Sequence, residues 1–590
     1  MKLSDKKSIQ QIVLTLVGLG LKNVIISPGS RNAPLTISFN QHPQFKCISI
    51  RDERSAAFFA LGKAMELKEP VVLLCTSGSA ALNYAPAIVE AYYQRIPLIV
   101  ITADRPPQWI GQQDGQTINQ QDIYKNYIRK SYTLDGDTIN EEQLWYNTRC
   151  LNEGFAIATQ TDPGPVHFNV PVSEPLYNLQ EIDSSVPKII SVSKTKRWLD
   201  DKELQELQDV FANSEKVMIL AGQQAPDPEL NRMLTQMAAF SNTILLCEST
   251  TNIQHPDFIT NIDRCLVSFN GEEIRDFMPD LLITFGGAIV SKKIKAILRK
   301  NKPRQHWNIH PHDASIDSYK ALTRSISMEA YEFLKQFLSA PWVTSSPKQW
   351  PVSSLSTTSK AMQQFEMHLS NYKKLWRQRA SLLENKHREF ISHLEYSDLF
   401  VFSKFYSKIP ADTCVHFSNS SPIRYAQLFD NSNLKSVHCN RGVSGIDGCT
   451  STAMGAASSN PDQSYVLITG DVAFFYDNNA FWNDQLPGNL KIILINNSGG
   501  GIFRIIEGPS DAKELEDFFE TKHNTSAKKL VEFYKWNYLS ANDEETLGQA
   551  LDHFFDPQQK RIVLEIFTPN EVNPKVLASY FKHLAHQPEK

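Results

Sequence analysis

Hydrophobic and polar positions alternate along the chain in three blocks, each built from short apolar runs separated by helix-length segments. The first block contains β-branched runs at residues 24–27, 71–75 and 98–102. Short runs that are apolar throughout are typical of strands buried on both faces of a parallel sheet. This pattern predicts an α/β domain for the first part of the chain.

The same pattern recurs twice more. The second block has apolar runs at residues 216–221, 243–247, 281–285 and 306–309, and the third at 415–418, 465–469, 491–496 and 561–567. We therefore predict an α/β fold of three doubly wound domains with mainly parallel sheets. The first and third blocks both place a Gly/Ser-rich loop after an apolar strand, which indicates related folds.

Two polar stretches separate the blocks. Residues 183–193 are polar with a proline, and residues 339–359 are rich in Ser, Thr and Pro with little periodicity. The predicted domains are residues 1–185, 190–340 and 376–590, with a linker and entry helix at 341–375.

The N-terminal segment has two interpretations. Lys6 and Lys7 precede an apolar run, as in a signal peptide, but polar residues interrupt it and no small-residue cleavage site follows. Apolar residues at helical spacing, such as Ile9, Val13 and Leu16, favour an amphipathic first helix.

Composition narrows the functional class. The chain has 590 residues, of which 41% are hydrophobic and 21% charged, and its net charge of −4 argues against a nucleic-acid-binding protein with a general basic surface. No apolar stretch approaches the roughly 20 residues of an integral membrane segment. The eight cysteines form no CxxC motif and are expected to be reduced, which predicts a cytoplasmic protein.

Two polar turns follow predicted strands of the third block. Gly470 and Asp471 end one strand, and Asn497 follows the next strand, 26 positions after Asp471. The carboxyl ends of parallel strands lie on one edge of a sheet, where open α/β sheets bind ligands. The Asp471 carboxylate, the Asn497 amide oxygen and the backbone of Gly499 form an oxygen set suited to Mg²⁺. Such residues are also common in ordinary turns, so a purely structural role stays open.

This spacing resembles the signature of thiamine-diphosphate (ThDP) enzymes, in which a Gly-Asp pair and a following Asn hold the Mg²⁺-diphosphate. The resemblance implies a glutamate in a separate domain that faces the aminopyrimidine ring. Glu53 fits, because it follows an apolar strand and opens a helix. Taken alone, Glu53 is explained more simply as an acid that complements a helix dipole.

Longer motifs narrow the resemblance to one family. They are SPGSRNAPL from Ser27, DER from Asp52, TSGSA from Thr76, TADRPP from Thr102 and NRGVSGIDG from Asn440. In this order they resemble the MenD family, the 2-succinyl-5-enolpyruvyl-6-hydroxy-3-cyclohexene-1-carboxylate (SEPHCHC) synthases of menaquinone biosynthesis. The resemblance implies decarboxylation of 2-oxoglutarate, dependent on ThDP and Mg²⁺ or Mn²⁺. The succinyl carbanion equivalent then adds to isochorismate, which gives SEPHCHC and CO₂.

The resemblance also assigns residues to the site. The implied catalytic residues are Glu53, Ser30, Arg31, Gln116 and Arg441. The implied cofactor-binding residues are Glu53, Ile446, Gly470, Asp471, Asn497 and Gly499, and the last three of these would also bind the metal. The implied substrate-binding residues are Arg31, Arg105, Lys292, Lys293, Ser420, Arg424 and Arg441. Asn119 is an alternative to Gln116, because the surrounding segment diverges from the family pattern.

Each group has an implied role. Glu53 would hydrogen-bond the pyrimidine ring and assist proton transfer. Ile446 would hold the cofactor in a bent shape, a role that is compatible with packing in the core. The arginines would bind two dicarboxylates. We expect Arg424 and Arg441 to serve 2-oxoglutarate, and the first-domain arginines to favour isochorismate. Lys292 and Lys293 are as readily explained as solvated surface charges.

The implied architecture has a pyrimidine-binding, a central and a diphosphate-binding domain. The resemblance also implies a homodimer or a dimer of dimers, with the cofactor bound between subunits. Glu53 and the Gly470–Asp471 pair would then come from different chains, and a monomer would lack a complete site.

Three other functions would leave different signs in the sequence. An acetolactate-synthase-like carboligase would act on pyruvate-type substrates and would not require four converging arginines. A non-catalytic ThDP-fold subunit would have lost Glu53, Asp471 or Asn497, all of which are present. A nicotinamide-dependent dehydrogenase needs GxGxxG after a strand, and the turns at Gly222 and Gly286 do not have it.

Overall fold

The computed structural model describes residues 1–586 except 183, 184, 194, 268, 270–272, 313, 314, 340–369 and 507. Three parallel sheets organise these residues into three α/β units, which confirms the predicted fold class. Most of the predicted linker at 341–375 lies outside the described residues. Within the described part of the chain, no helix is long and apolar enough to cross a membrane.

The first unit is built on a six-stranded parallel sheet with the order β3-β2-β4-β5-β7-β6. Its strands are β2 (Asn23–Ile26), β3 (Lys46–Ser49), β4 (Val71–Cys75), β5 (Leu98–Asp104), β6 (Ser131–Thr133) and β7 (Val166–Pro171). A separate antiparallel pair joins β1 (Lys2–Ser4) to β8 (Leu179–Glu181). Its helices are α1 (Lys7–Gly18), α2 (Ala33–Gln41), α3 (Glu53–Leu67), α4 (Ser79–Asn83), α5 (Ala85–Gln94) and α6 (Glu141–Ala156).

The second unit has a five-stranded parallel sheet with the order β10-β9-β11-β12-β13. The strands are β9 (Val217–Ala221), β10 (Thr243–Cys247), β11 (Leu281–Phe285), β12 (Gln305–Ile309) and β13 (Arg324–Ile326). The helices are α7 (Asp201–Ala212), α8 (Pro228–Ala238), α9 (Ile262–Cys265), α10 (Ile274–Phe277), α11 (Lys292–Lys300) and α12 (Ala330–Ser339).

The third unit has a six-stranded parallel sheet with the order β15-β14-β16-β17-β19-β18. The strands are β14 (Cys414–Phe417), β15 (Ser436–Cys439), β16 (Tyr465–Gly470), β17 (Leu490–Asn496), β18 (Asn537–Ala541) and β19 (Ile562–Phe567). The helices are α13 (Asn371–Ile391), α14 (Asp398–Tyr406), α15 (Ser421–Ala426), α16 (Cys449–Ser459), α17 (Asp471–Tyr476), α18 (Lys528–Phe533), α19 (Glu544–Phe555) and α20 (Asn573–Ala585).

The first and third sheets have the same topology. Numbered within each unit, both run 2-1-3-4-6-5, which confirms the predicted relation between the two folds. Their strands are buried on both faces: along β16, Val466 and Ile468 pack in one core while Leu467 packs in another. That two-sided burial explains why these strands were apolar throughout.

Helices α3 and α16 join the first unit to the third. Both helices have a glycine at their crossing, where the backbones come very close. A Cβ on Gly62 would lie 1.9 Å from the Thr452 carbonyl oxygen, and one on Gly455 would lie 2.0 Å from the Phe59 carbonyl oxygen. The two units therefore share one apolar core, which fixes the loops at their sheet edges relative to each other.

Candidate active site

The carboxyl ends of β16 and β17 bring the two predicted polar turns together. Gly470 pairs with Ile495 in the register of these adjacent parallel strands, so Asp471 and Asn497 lie on the same edge of the sheet. The backbone N–H of Gly499 donates a hydrogen bond of 2.9 Å to Asp471 Oδ2. The structure thus connects two turns that are separated along the chain, at the edge where α/β sheets bind ligands.

The side-chain amide of Asn497 is held in one orientation. Its Nδ2 donates to Asp398 Oδ2 at 3.1 Å, and Asp398 Oδ1 accepts a hydrogen bond of 2.6 Å from the Thr568 hydroxyl. Asn497 Oδ1 is buried, and none of the described residues donates a hydrogen bond to it. A buried acceptor without a donor is costly, and an oxygen ligand for a divalent cation removes that cost. The donor set therefore fits Mg²⁺.

The turn after Asn497 needs glycine and leaves space for a ligand. Ser498 has φ +65°, and a Cβ on Gly499 would lie 2.8 Å from the carbonyl oxygen of Glu520. At the opposite turn, a Cβ on Gly470 would meet no atom within 4 Å. A crowded turn beside an open one allows a diphosphate to approach the backbone closely.

Glu53 is the first residue of α3, as predicted. Asp52 caps the helix by accepting a 2.8 Å hydrogen bond from Ser55 N, and burial raises the pKa of the Glu53 carboxyl, with Asp52 adding to the shift. Asp52 Oδ2 also accepts a 2.9 Å hydrogen bond from Asn479 of the third unit. Among the described residues, no hydrogen bond or ion pair joins Glu53 to Asp471.

The two predicted arginines of the first unit converge on one carboxylate. Arg31 is buried, donates to the carbonyl of Val172 at 3.0 Å, and lies 3.3 Å from Glu174 Oε1. Arg105 lies 3.8 Å from the same oxygen and also forms an ion pair with Asp114. The Glu174 side chain is 73% exposed, whereas the side chains of Arg31 and Arg105 are only 6% and 19% exposed.

The predicted cations of the third unit form a second group. Arg441 Nη1 donates to Asn419 Oδ1 at 2.9 Å, and no described residue accepts a hydrogen bond from its buried Nε. Burial lowers the pKa of Arg424, and the charge of Arg441 lowers it further. Lys292 and Lys295 of α11 belong to the same group. Burial lowers the pKa of Lys295, and the charges of Arg441 and Lys292 lower it further.

The predicted lysine pair divides between two environments. Lys292 is exposed and contributes to the positive group around Arg441. Lys293 places its ammonium 3.5 Å from the ring centroid of Phe581, and burial lowers its pKa against the influence of Asp263.

Comparison with protein families and known proteins shows the family of the chain. The N-terminal TPP binding domain of thiamine pyrophosphate enzymes matches residues 7–123, the middle domain of thiamine pyrophosphate matches 192–391, and the C-terminal TPP binding domain matches 420–566. Three bacterial relatives carry the name 2-succinyl-5-enolpyruvyl-6-hydroxy-3-cyclohexene-1-carboxylate synthase. They come from Flavobacterium psychrophilum (43% identity; 96% of both chains), Flavobacterium johnsoniae (40%; 98% of both) and Christiangramia forsetii (39%; 99% of this chain and 100% of the relative).

The chain belongs to the SEPHCHC synthase family. It is a ThDP-dependent enzyme with the three-domain architecture of that class. The family resemblance read from the sequence motifs is therefore confirmed.

The neutral residues that the SEPHCHC synthase motifs suggested lie in loops. Ser30 is exposed before α2, and Ser420 directly precedes α15 with φ +75°. Gln116 and its alternative Asn119 are both exposed. Ile446 is half-buried and lies outside the buried apolar cores of the described residues, so core packing does not explain it.

Several residues near the site were missed by sequence reasoning. Asp398 orients Asn497 from 99 positions away in the sequence. Lys295 belongs to the cation group, although only Lys292 and Lys293 of α11 were predicted. His523 Nε2 lies 3.4 Å from Asp471 Oδ2, which raises the pKa of the imidazole. Gln120 is buried and accepts a 2.7 Å hydrogen bond from Gly78 N. None of them stands in a motif, so no local signal could have marked them.

Proposed function

We propose that this chain joins 2-oxoglutarate to isochorismate, with loss of CO₂, to give SEPHCHC for menaquinone biosynthesis. The observation that carries the proposal is the orphaned amide oxygen of Asn497 beside Asp471, together with two separate arginine groups. The first feature fits a metal-diphosphate, and the second fits two different dicarboxylates.

The metal would be Mg²⁺, with Mn²⁺ as a possible substitute, held by Asp471, Asn497 and the backbone of Gly499. Asp398 keeps the Asn497 amide oriented with its oxygen toward the ion. The open backbone at Gly470 would receive the diphosphate of the cofactor. These residues provide oxygen ligands and leave further coordination positions for phosphate and water, as Mg²⁺ prefers.

When bound, ThDP would supply a carbon nucleophile for the ketone carbon of the first substrate and would stabilise the negative charge left when CO₂ departs. Glu53 would exchange a proton with the aminopyrimidine ring. Its raised pKa supports this role, because a carboxyl group whose pKa lies closer to neutrality transfers protons in both directions more readily. Ile446 would support the cofactor from its half-buried position.

The charged groups would bind the substrates. Arg424 and Arg441 would receive the carboxylates of 2-oxoglutarate, and Arg31 and Arg105 those of isochorismate. The two arginines of each pair lie close together, and the two pairs belong to different α/β units. This arrangement supports the binding of one substrate by each pair. Ser30, Gln116 and Ser420 would add neutral hydrogen bonds, and Lys292 and Lys293 would add positive charge.

The site would be completed by self-association as a homodimer or dimer of dimers. Residues 1–185, 190–340 and 376–590 would act as the pyrimidine-binding, central and diphosphate-binding domains. Glu53 of one subunit would then face the metal edge of another. All eight cysteines carry free thiols, which supports action in the reducing cytoplasm.

The test is turnover by the purified protein with ThDP and Mg²⁺. We expect isochorismate to disappear and CO₂ to be released only when 2-oxoglutarate is present. Pyruvate in place of 2-oxoglutarate should give little reaction, because it lacks the distal carboxylate that a second arginine would bind. Equal turnover with pyruvate would contradict the proposed substrate and favour an acetolactate-synthase-like activity.

A further inference from the structure

The loop that carries Arg441 is held by a residue of the first unit. This loop, residues 440–445, follows β15, and the two backbone amides after Arg441 both donate to Glu90 in α5. Gly442 N lies 2.7 Å from Glu90 Oε1, and Val443 N lies 2.8 Å from Glu90 Oε2. Glu90 is only 1% exposed, so both bonds form away from water and each involves a carboxylate acceptor. The two units are therefore joined at the residue next to Arg441.

A second group of contacts holds the other side of the loop. Gln94 lies one helical turn after Glu90 and donates to its carboxylate. Gln94 also accepts a 3.2 Å hydrogen bond from Gln223 of the second unit, which in turn donates to the carbonyl of Cys439 at 2.9 Å. One series of hydrogen bonds thus connects all three units. It contacts the backbone before Arg441 at Cys439, the last residue of β15, and after Arg441 at Gly442 and Val443.

The loop has little freedom to move away from Glu90. A Cβ on Gly442 would lie 2.7 Å from the backbone oxygen of Glu90, so the two segments are in direct backbone contact. Asn419 Nδ2 donates to the carbonyls of Asn440 and Gly445, both at 2.6 Å. The backbone on either side of Arg441 is therefore fixed, while its buried Nε is available to a ligand.

We infer that Glu90 is a positioning residue for Arg441. It acts through the backbone amides of Gly442 and Val443, and it sets where the guanidinium meets a substrate carboxylate. A two-pronged contact between arginine and carboxylate depends on alignment, so a loosened loop weakens it without removing any charge. The identity of that carboxylate, on 2-oxoglutarate, rests on the function proposed above.

The principal variant is Glu90→Gln, which keeps the size of the side chain but replaces one acceptor oxygen with an NH₂ group. We expect the KM for 2-oxoglutarate to rise about tenfold or more, with kcat and ThDP affinity changed less than about threefold, since Glu90 touches neither the metal edge nor Glu53. Glu142→Gln, on an exposed first turn of α6, is the matched control and should leave all three quantities unchanged.

A double-mutant cycle tests whether Glu90 acts through Arg441. Arg441→Ala alone should raise the KM for 2-oxoglutarate, and Glu90→Gln should add no further increase in that background. Increases that multiply would overturn the inference, as would an equal rise in the KM for isochorismate. If Glu90→Gln does not fold, Gln223→Met removes the outer hydrogen bonds and should give a smaller rise in the same KM.

Hydrogen exchange gives a readout that does not depend on activity. The amides of Gly442 and Val443 should exchange at least about tenfold faster in Glu90→Gln than in the wild type, while those of β16 stay unchanged. Unchanged exchange at both amides would overturn the inference. If the wild type fails to turn over 2-oxoglutarate, the proposed function fails, whereas this comparison still decides whether Glu90 holds the loop.

Discussion

At the scale of single residues, the site depends on groups that position other groups. Asn497 could bind a metal through its amide oxygen only if the amide does not rotate. Asp398 prevents rotation because its carboxylate accepts from Asn497 Nδ2 and is itself held by Thr568 and by α14. Partners of this kind typically change metal affinity 10- to 100-fold when they are removed.

Asp398→Ala should therefore weaken ThDP binding in Mg²⁺ buffer by about tenfold or more. Asp398→Asn should restore most of the affinity, because its amide oxygen still accepts from Asn497. Thr568→Val removes only the hydrogen bond that holds Asp398 and should give a smaller loss of affinity. Titration calorimetry measures all three variants, and unchanged affinity in Asp398→Ala would contradict the role of Asp398 in orienting Asn497.

Asp477 predicts how stability depends on pH. It is fully buried, it accepts two 2.7 Å hydrogen bonds from Ser451, and burial raises its pKa to about 7. Its unfolded pKa is near 4, so the folded protein holds the extra proton between about pH 4 and 7. This contribution to stability is present below pH 4 and is lost as the pH rises toward 7.

Asp477→Asn should accordingly flatten the fall in thermal midpoint between about pH 4 and pH 7. Its unfolding free energy relative to the wild type should gain up to about 1.4 kcal/mol per pH unit across this range. Some dependence of the stability on pH should persist in Asp477→Asn, because burial also raises the pKa of Glu248 to about 7. Parallel pH curves for the variant and the wild type would refute the assignment.

At the scale of elements, the crossing of α3 and α16 sets the relation between the first and third units. The Cβ of an alanine at Gly62 would overlap the carbonyl oxygen of Thr452, and rigid backbone cannot move aside as a side chain can. Glu53 is the first residue of α3, and α16 begins shortly after the loop that carries Arg441. The spacing of the two helices therefore sets the position of Glu53 relative to the Arg441 loop of the same chain.

Gly62→Ala should lower the unfolding free energy by about 1–3 kcal/mol or more, as overpacking does. Gly548→Ala is the matched control: Gly548 lies inside α19, and a Cβ there would meet no atom within 4 Å. That change should be neutral or stabilise by about 0.4–1 kcal/mol. Thermal unfolding compares the two, and a similar effect of both substitutions would contradict the backbone contact.

Strands were predictable where they were apolar on both faces, and less so where buried polar groups replaced that pattern. The runs that match β4, β10 and β11 were found with their bounds because every residue in them is buried and apolar or small. Strand β7, in which buried His167 and Asn169 are hydrogen-bonded to Thr102, was missed, although β12, which has a similar buried pair bonded to Thr284, was found. Hydrogen bonds that satisfy buried polar side chains form only in the folded sheet, so the apolar pattern of the sequence does not show them.

The same distinction applies to the site. Asp471 and Asn497 could be placed together from the sequence, because the edge rule for parallel sheets needs only strand order. Glu90 and Gly442 are 352 positions apart, and only the packing of two units brings them together. The convergence of Arg31 and Arg105 on Glu174 depends on tertiary packing in the same way.

At the scale of the whole molecule, the proposal places Glu53 and Asp471 of one chain in different sites. Glu53→Gln should lose about 100-fold or more in kcat as a proton-transfer group, and Asp471→Ala should lose cofactor binding. Mixing the two variants under conditions that exchange subunits should then restore activity, because one site per mixed dimer has both native residues. Activity no higher than the sum of the separate variants would contradict a site shared between subunits.

The central claim is that this chain forms a carbon–carbon bond between two dicarboxylates, with one carboxyl group leaving as CO₂. The most direct measurement uses 2-oxoglutarate labelled with ¹³C at carbons 1 and 2, unlabelled isochorismate, ThDP and Mg²⁺. We predict one ¹³CO₂ released for each isochorismate consumed, and one remaining ¹³C in a product that contains both skeletons. Labelled succinic semialdehyde with isochorismate left unchanged would contradict the account, because it would show decarboxylation without the joining step.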